Sequence, residues 1–216
     1  MPKNHSISVS LAANAGKLCN VSTCERTRHK LSRFCRVHDD RRQRWGSVHG
    51  HVWRAGNIKQ HRPNAEAFLA LQLEHPAIIT AERFLRDMMD SSYKTLHVDR
   101  RACTPCTKAW SALRQADVSA HEILVRAISV TLYMLSLPKA DQAMDTYVRQ
   151  LGNDILRLVK PRIARGSKQT KYSIAIGGTI WGSLKSLLVG IIVHVQQAER
   201  AQADFDAAAK IPFRSA

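Results

Sequence analysis

Acidic residues are scarce in this chain. Only 17 Asp and Glu stand against 33 Lys and Arg, a formal charge of +16 over 216 residues. That surplus favours a polyanionic partner, though charge alone names no function. Glycine, at 10, and proline, at 7, are too few for a fibrous or low-complexity protein. Cysteine, at five, is too sparse for a disulfide-stapled secreted scaffold, and the number is odd. No long apolar stretch follows the first basic residue, so no secretory leader is expected. A cytoplasmic location with reduced thiols is the expectation. Catalytic signatures are missing too. There is no Gly-x-Ser-x-Gly turn, no phosphate loop ending in Gly-Lys-Ser/Thr and no His-x-x-x-His helix with an intervening Glu. No catalytic residue is assigned. What is present is an ordinary apolar share, 44%, which excludes a wholly disordered chain.

The charge is uneven. Residues 1–62 hold 13 of the 33 Lys and Arg but only three of the 17 acids. They also hold three of the five Cys and six of the ten His. Composition changes near Pro63, which is taken as a boundary. Residues 1–16 are small and polar without periodicity and are expected to form a flexible tail. Residues 17–56 lack any long apolar repeat, so the basic module expected at 17–62 needs a staple.

After Pro63 the apolar pattern is helical, without a convincing alternating run. Ile78, Ala81, Phe84, Leu85, Met88 and Met89 share a face behind a cap at Thr80. Thr104-Pro105 reads as an N-cap followed by proline at the first helical position. Cys106, Ala109, Trp110 and Leu113 follow on one face. Ser119-Ala120-His121-Glu122 is a capping-box pattern. It opens Ile123–Leu137, which carries a single charge, Arg126, and is expected to be a central buried helix closed by Pro138. Met144, Tyr147, Val148, Leu151, Ile155, Leu156 and Val159 form another stripe, ended by Pro161. The fold class expected is therefore mostly α: a small stapled N-terminal module, then an α-helical bundle over 63–216 with a basic linker at 157–171 and a loose C-terminal end.

The sharpest motif is Cys19-x4-Cys24-x10-Cys35-x2-His38. Structural zinc takes four tetrahedral S and N ligands, commonly as two close pairs. The first pair suits a knuckle, and the second suits the first turn of a helix. Neighbouring Arg and Lys favour the thiolates. His29, His49 and His51 stand near enough to replace His38 as fourth ligand. Asp39 and Asp40 read as charges complementing a helix N-terminus.

The segment Leu18-Cys19-Asn20-Val21-Ser22-Thr23-Cys24 through Phe34-Cys35-Arg36-Val37-His38, with Arg44-Trp45 and His49-Gly50 after it, resembles a small zinc module common in phage and prophage proteins. That module often sits at the N-terminus of HNH-type homing endonucleases. The resemblance spans about residues 17–50. It implies Cys19, Cys24, Cys35 and His38 as ligands, Arg44-Trp45 as a basic-aromatic pair, and a mobile-element background in a phage, plasmid or transposon. Two features depart from the pattern: Asp39 stands where an aromatic residue usually follows the His, and Arg-Trp comes about one helical turn late. The resemblance does not imply cleavage, because no HNH constellation follows. His75, His97, His121 and His194 are isolated in helical contexts.

Arg26, Arg28, Lys30, Arg33 and Arg36 lie between and inside the ligand pairs. Arg41, Arg42, Arg44, Trp45, Trp53 and Arg54 extend the strip, with Lys59 and Arg62 beyond. A small module cannot bury so many cations. Exposed Arg forks to phosphate oxygens, and Trp stacks on bases. The expected partner is nucleic acid, DNA ahead of RNA, with protein contacts or self-association through the helical domain. The zinc is structural in this reading, and the job is that of an accessory or regulatory protein. The alternatives are a diverged metal-dependent nuclease or recombination enzyme, and a membrane-associated protein.

The membrane alternative rests on Ser173–Val195. One charge, Lys185, interrupts these residues, and the length suits a bilayer span of ~20 residues. A second basic run, Arg157, Lys160, Arg162, Arg165, Lys168 and Lys171, precedes it. A core helix is preferred because a mid-span charge is costly. Gly177, Gly178, Gly182 and Gly190 permit close helix packing in either setting. Cys103-x2-Cys106 is read as core or cap residues, with a second metal site using His97 or His121 as the competing reading.

Overall fold

The computed structural model describes residues 3–50, 53–99, 101, 103–139, 142–160 and 167–209. The fold is mostly α. In chain order the helices are α1 (Lys3–Ala15), α2 (Arg36–Trp45), α3 (Ala55–Lys59), α4 (Arg62–Leu71), α5 (Pro76–Val98), α6 (Pro105–Gln115), α7 (Ala120–Ser136), α8 (Met144–Leu156) and α9 (Ser167–Ala209). Among the described residues there is no strand, only an isolated antiparallel bridge between Leu18 and Thr27.

The large core is built around α7. Ile123, Leu124, Val125, Ala127, Ile128 and Val130 are all buried, as expected of a helix with one charge in its apolar run. Helices α3, α4, α5, α8 and α9 all pack on it. Its start is set by Ser119, whose hydroxyl accepts from the Glu122 N–H at 3.0 Å. The Thr104 cap of α6 forms in the same way, accepting from the Thr107 N–H at 3.1 Å.

Other starts and ends differ from the sequence expectation. Helix α5 begins at Pro76, and the His75 ring accepts from the Ala77 N–H at 3.2 Å, so His75 rather than Thr80 is the cap. Proline suits that first position because its missing N–H is not needed there. Residues 3–15, read as a tail, are helix α1. Helix α9 begins at Ser167, so Lys168 and Lys171 lie in a helix rather than a linker; Arg162 and Arg165 fall outside the described residues.

Helices α8 and α9 cross at backbone contact. A Cβ on Gly152 would lie 1.9 Å from the Ser173 carbonyl oxygen, and one on Gly177 1.8 Å from that of Val148. The Ser173 hydroxyl donates to Asn153 Oδ1 at 2.6 Å beside the crossing. Beyond it Ile176, Ile180, Leu184, Leu188 and Ile191 bury one stripe of α9 on the body. The opposite face is exposed and carries Ile174, Gly178, Lys185, Val189 and Val193. The stretch Thr170–Ile191 is long and apolar enough to cross a membrane by length and composition, yet one of its faces is core.

Polar groups tie the bundle at one end. Arg62 forks onto Glu122 with both bonds at 2.8 Å, and Arg126 reaches the same carboxylate at 3.1 Å. Arg126 and Arg157 also bracket the buried Asp154, at 3.4 and 2.9 Å. Burial opposes ionisation of Glu122, but the Arg62 and Arg126 guanidiniums outweigh it and hold its pKa below the usual carboxylate range. A depressed folded pKa stabilises the protein at neutral pH, and that stabilisation disappears as pH falls through the depressed value. Glu122→Gln is expected to cost about 1–2 kcal/mol at neutral pH, a figure reduced for its partial exposure. In thermal melts the gap between variant and wild type should close as pH falls through the depressed pKa. A gap that stays constant down to pH 2 would contradict this.

Candidate metal centre

Three short local structures bring the Cys/His group together. Residues 17–28 fold back on themselves. Cys19 N–H donates to the Arg26 carbonyl at 2.8 Å and Arg28 N–H to that of Lys17 at 2.9 Å, while Cys24 N–H closes a turn on Val21 at 2.9 Å. A second turn, 29–34, is closed by His29 N–H on Phe34 O at 2.8 Å, with Lys30 at φ 52°. Helix α2 then starts with Cys35 as its N-cap. The Cys35 side chain makes no capping bond and turns to the cluster instead. His38, three residues on, lies over the same helical turn.

Cys19, Cys24, Cys35 and His38 therefore place one ligand atom each within 4.8 Å of one another, a group compatible with a metal site. Cys24 Sγ and Cys35 Sγ are 3.9 Å apart. His38 Nδ1 lies 3.3 Å from Cys19 Sγ and 3.4 Å from Cys35 Sγ. The sulfur separation is far beyond a disulfide bond of about 2.0 Å. Burial works against the Cys19 thiolate, but N–H groups of Cys35 and Val21, with His38 and Cys24, bring its pKa down to about 6. Cys24 moves the other way. The Arg26 N–H favours its thiolate, yet burial and the neighbouring Cys35 and Cys19 sulfurs raise it.

The group has little apolar support. Cys19, Val21 and Cys35 are its buried residues, flanked by Cys24, Phe34 and Val48. His29 and His49 stand outside the group, His49 with its ring 6.2 Å from that of His38. His51 lies outside the described residues. Cys103 donates to the Asp99 carbonyl at 3.0 Å, and Cys106 contacts the Thr179 hydroxyl at 3.4 Å. Neither belongs to a metal-compatible group among the described residues.

Four residues support the group in ways not read from the sequence. Asp39 is buried and accepts from the Ser32 hydroxyl at 2.8 Å, Arg42 at 3.1 Å and Gln43 at 2.8 Å, bracing α2 against the second turn. Burial opposes its charge, but these donors hold its pKa below the usual range. Asn14, at the end of α1, donates to the carbonyls of Lys30 at 2.6 Å and Ser32 at 2.9 Å. Gly46 ends α2 at φ 81°, and a Cβ there would lie 2.6 Å from Asp145 Cβ. Arg149 of α8 donates to the Gln43 carbonyl in the last turn of α2. A glycine after Arg44-Trp45 was the one legible signal, as a helix C-terminus.

The basic residues divide. Arg26, Lys30, Arg33, Arg36, Arg41, Arg44 and Arg54 are exposed and have no acidic partner among the described residues. Arg28 is partly committed, donating to the Leu18 carbonyl at 2.9 Å and to Asn14 at 3.3 Å. Arg42 pairs with Asp39 and lies 5.8 Å over the Phe34 ring. Trp45 is half-buried. Trp53 corrects the sequence reading. It is 0% exposed, stacked edge-on to Tyr133 of α7 at 5.3 Å, and so cannot stack on a base. Ile58 of α3 is buried in the same core. Residues 53–62 thus pack with the helical bundle although their charge matches the N-terminal module.

Compared with protein-family models, with curated proteins and with solved structures, the chain found no match.

Proposed function

We propose that this chain is a nucleic-acid-binding accessory or regulatory protein whose N-terminal module is organised by a structural zinc ion. The carrying observation is the set of exposed, unpaired cations on the loops and helix that the Cys/His group ties together. Six like charges on residues 26–44, Arg26, Lys30, Arg33, Arg36, Arg41 and Arg44, repel one another, which costs stability unless a polyanion neutralises them.

Zinc fits the donor set. Bonds of about 2.3 Å to sulfur and about 2.0 Å to nitrogen give tetrahedral edges of about 3.8 Å between sulfurs and about 3.5 Å between sulfur and nitrogen. The separations of 3.9, 3.3 and 3.4 Å are close to these. Three soft thiolates and an imidazole suit zinc better than calcium or magnesium, which take oxygen. Four protein ligands leave no open position for water, which favours a structural over a catalytic role. The resemblance to the phage zinc module points the same way.

Fluorescence anisotropy on a generic duplex across a salt series tests this. Binding should fall on the order of 100-fold between 50 and 200 mM salt, as displaced counterions cease to drive it. A strong zinc chelator should abolish it. Absence of binding at low salt would overturn the proposal, and the charge would then be a solvated surface.

A further inference from the structure

The exposed cations are not equivalent. Arg26, Lys30 and Arg33 lie on turns, whereas Arg36, Arg41 and Arg44 lie on α2. That helix has a clear inner side. His38 joins the ligand group, Asp39 is buried, Arg42 turns to Asp39 and Phe34, and Trp45 is half-buried. The Gln43 side chain is held by Asp39 at 2.8 Å. The outer side presents Arg36, Val37, Asp40, Arg41 and Arg44, all exposed.

Asp40 is the informative residue. It sits centrally on this face, exposed, with no ion pair among the described residues. A carboxylate there weakens a surface that meets only phosphates. It suits a surface that meets base edges, because carboxylates accept from the cytosine amino group. Arginine forks to guanine, and an apolar side chain meets the thymine methyl. Arg41, Arg44, Asp40 and Val37 supply that set of chemistries on one helix. The helix is about 15 Å long and about 10–12 Å wide with side chains, which matches a B-form major groove about 12 Å wide.

The aromatic residues argue for duplex over single strand. Phe34 and Trp45 are the module's only Phe, Tyr or Trp residues between 17 and 50, and both are half-buried. Single-stranded partners are usually held on exposed aromatic platforms. The major groove of A-form RNA is too deep and narrow to be read this way.

We infer that α2 is a recognition helix, reading base edges in the major groove of duplex DNA through Asp40, Arg41 and Arg44 while the turn residues Arg26, Lys30 and Arg33 meet the backbone. This rests on the proposed nucleic-acid function and assigns it a target class and a reading element. The test is selection of the zinc-loaded full chain on a randomised 20-base-pair duplex library. Wild type should enrich a short motif. Arg44→Ala should weaken binding to that motif about 10- to 100-fold more than to random duplex, with Arg44→Lys recovering only part. Asp40→Ala should relax preference at a single base position and strengthen binding to random duplex. Metal content and circular dichroism establish that each variant is folded. Salt-dependent duplex binding without any enriched motif would overturn the inference and leave the nucleic-acid reading intact. So would a motif unchanged by both α2 variants, or tighter binding to single strands. No binding to any duplex would overturn both.

Discussion

Replacing Cys35 by Ser is expected to unfold residues 17–50 and leave helices α4–α9 folded. Cys35 does three things at once. It would supply a ligand to the proposed zinc, its N–H donates to Cys19 Sγ at 3.3 Å, and it is the N-cap of α2. The apolar alternative is weak, because Val21 is the only buried aliphatic residue of that cluster. Burying one such side chain contributes about 1.5–3 kcal/mol. Zinc binding to small modules contributes ~10–16 kcal/mol, so under the proposed zinc reading the metal outweighs the apolar contacts. Docking on α8 is too small to replace it. The Arg149 bond to the Gln43 carbonyl adds ~1.5–3 kcal/mol at most. In a two-dimensional amide NMR spectrum, signals from 17–50 should collapse into the unfolded region while those of α4–α9 hold their positions. Retained dispersion for 17–50 in a metal-free Cys35→Ser chain would sink the claim.

The second large effect separates two neighbouring glycines. Gly177→Ala should destabilise strongly and Gly178→Ala should stabilise. At Gly177 the new methyl would meet the Val148 carbonyl at 1.8 Å, and no side-chain rotation can relieve a clash with backbone. The two helices must separate by more than an ångström. Overpacking costs ~1–3 kcal/mol, and here the loss of packing along the α9 stripe is added. Gly178 has nothing within 4 Å, so alanine there only restricts the unfolded chain and gains about 0.5–1 kcal/mol. For a chain of this size, melting temperatures should fall by about 6–12 °C and rise by about 1–4 °C respectively. Gly152→Ala should behave like Gly177→Ala, because it meets the Ser173 carbonyl at 1.9 Å. Two rising melting temperatures at 177 and 178 would show that α8 and α9 do not touch backbone to backbone.

The contrast between these glycines is a measure of what sequence can say. Gly177, Gly178, Gly182 and Gly190 were equally able to permit close packing when read in line. Only the rotation of α9 about its axis turns Gly177 inward and Gly178 outward. That rotation is set by the whole stripe from Ile176 to Ile191, not by the glycines. Trp53 makes the same point. It lies in a strongly basic stretch next to Arg54, which suggested an exposed ring. The ring is buried because Tyr133, distant in sequence, offers it a face.

The sequence by itself determined the helical character, the Thr104 and Ser119 caps, the burial of α7 and the three cysteines of the Cys/His group, while the structure chose His38 over His29 and His49. Each rests on short-range information: a repeat of 3.6 residues, a hydroxyl beside free N–H groups, or two ligands on adjacent turns. The tertiary structure decided which glycines touch and where Trp53 goes. It also decided that Arg62 faces Glu122 instead of solvent, and that Asn14 reaches the Lys30 and Ser32 carbonyls beside the Cys/His group. Those outcomes depend on residues far apart in the chain meeting at one place, and no local spacing encodes the meeting.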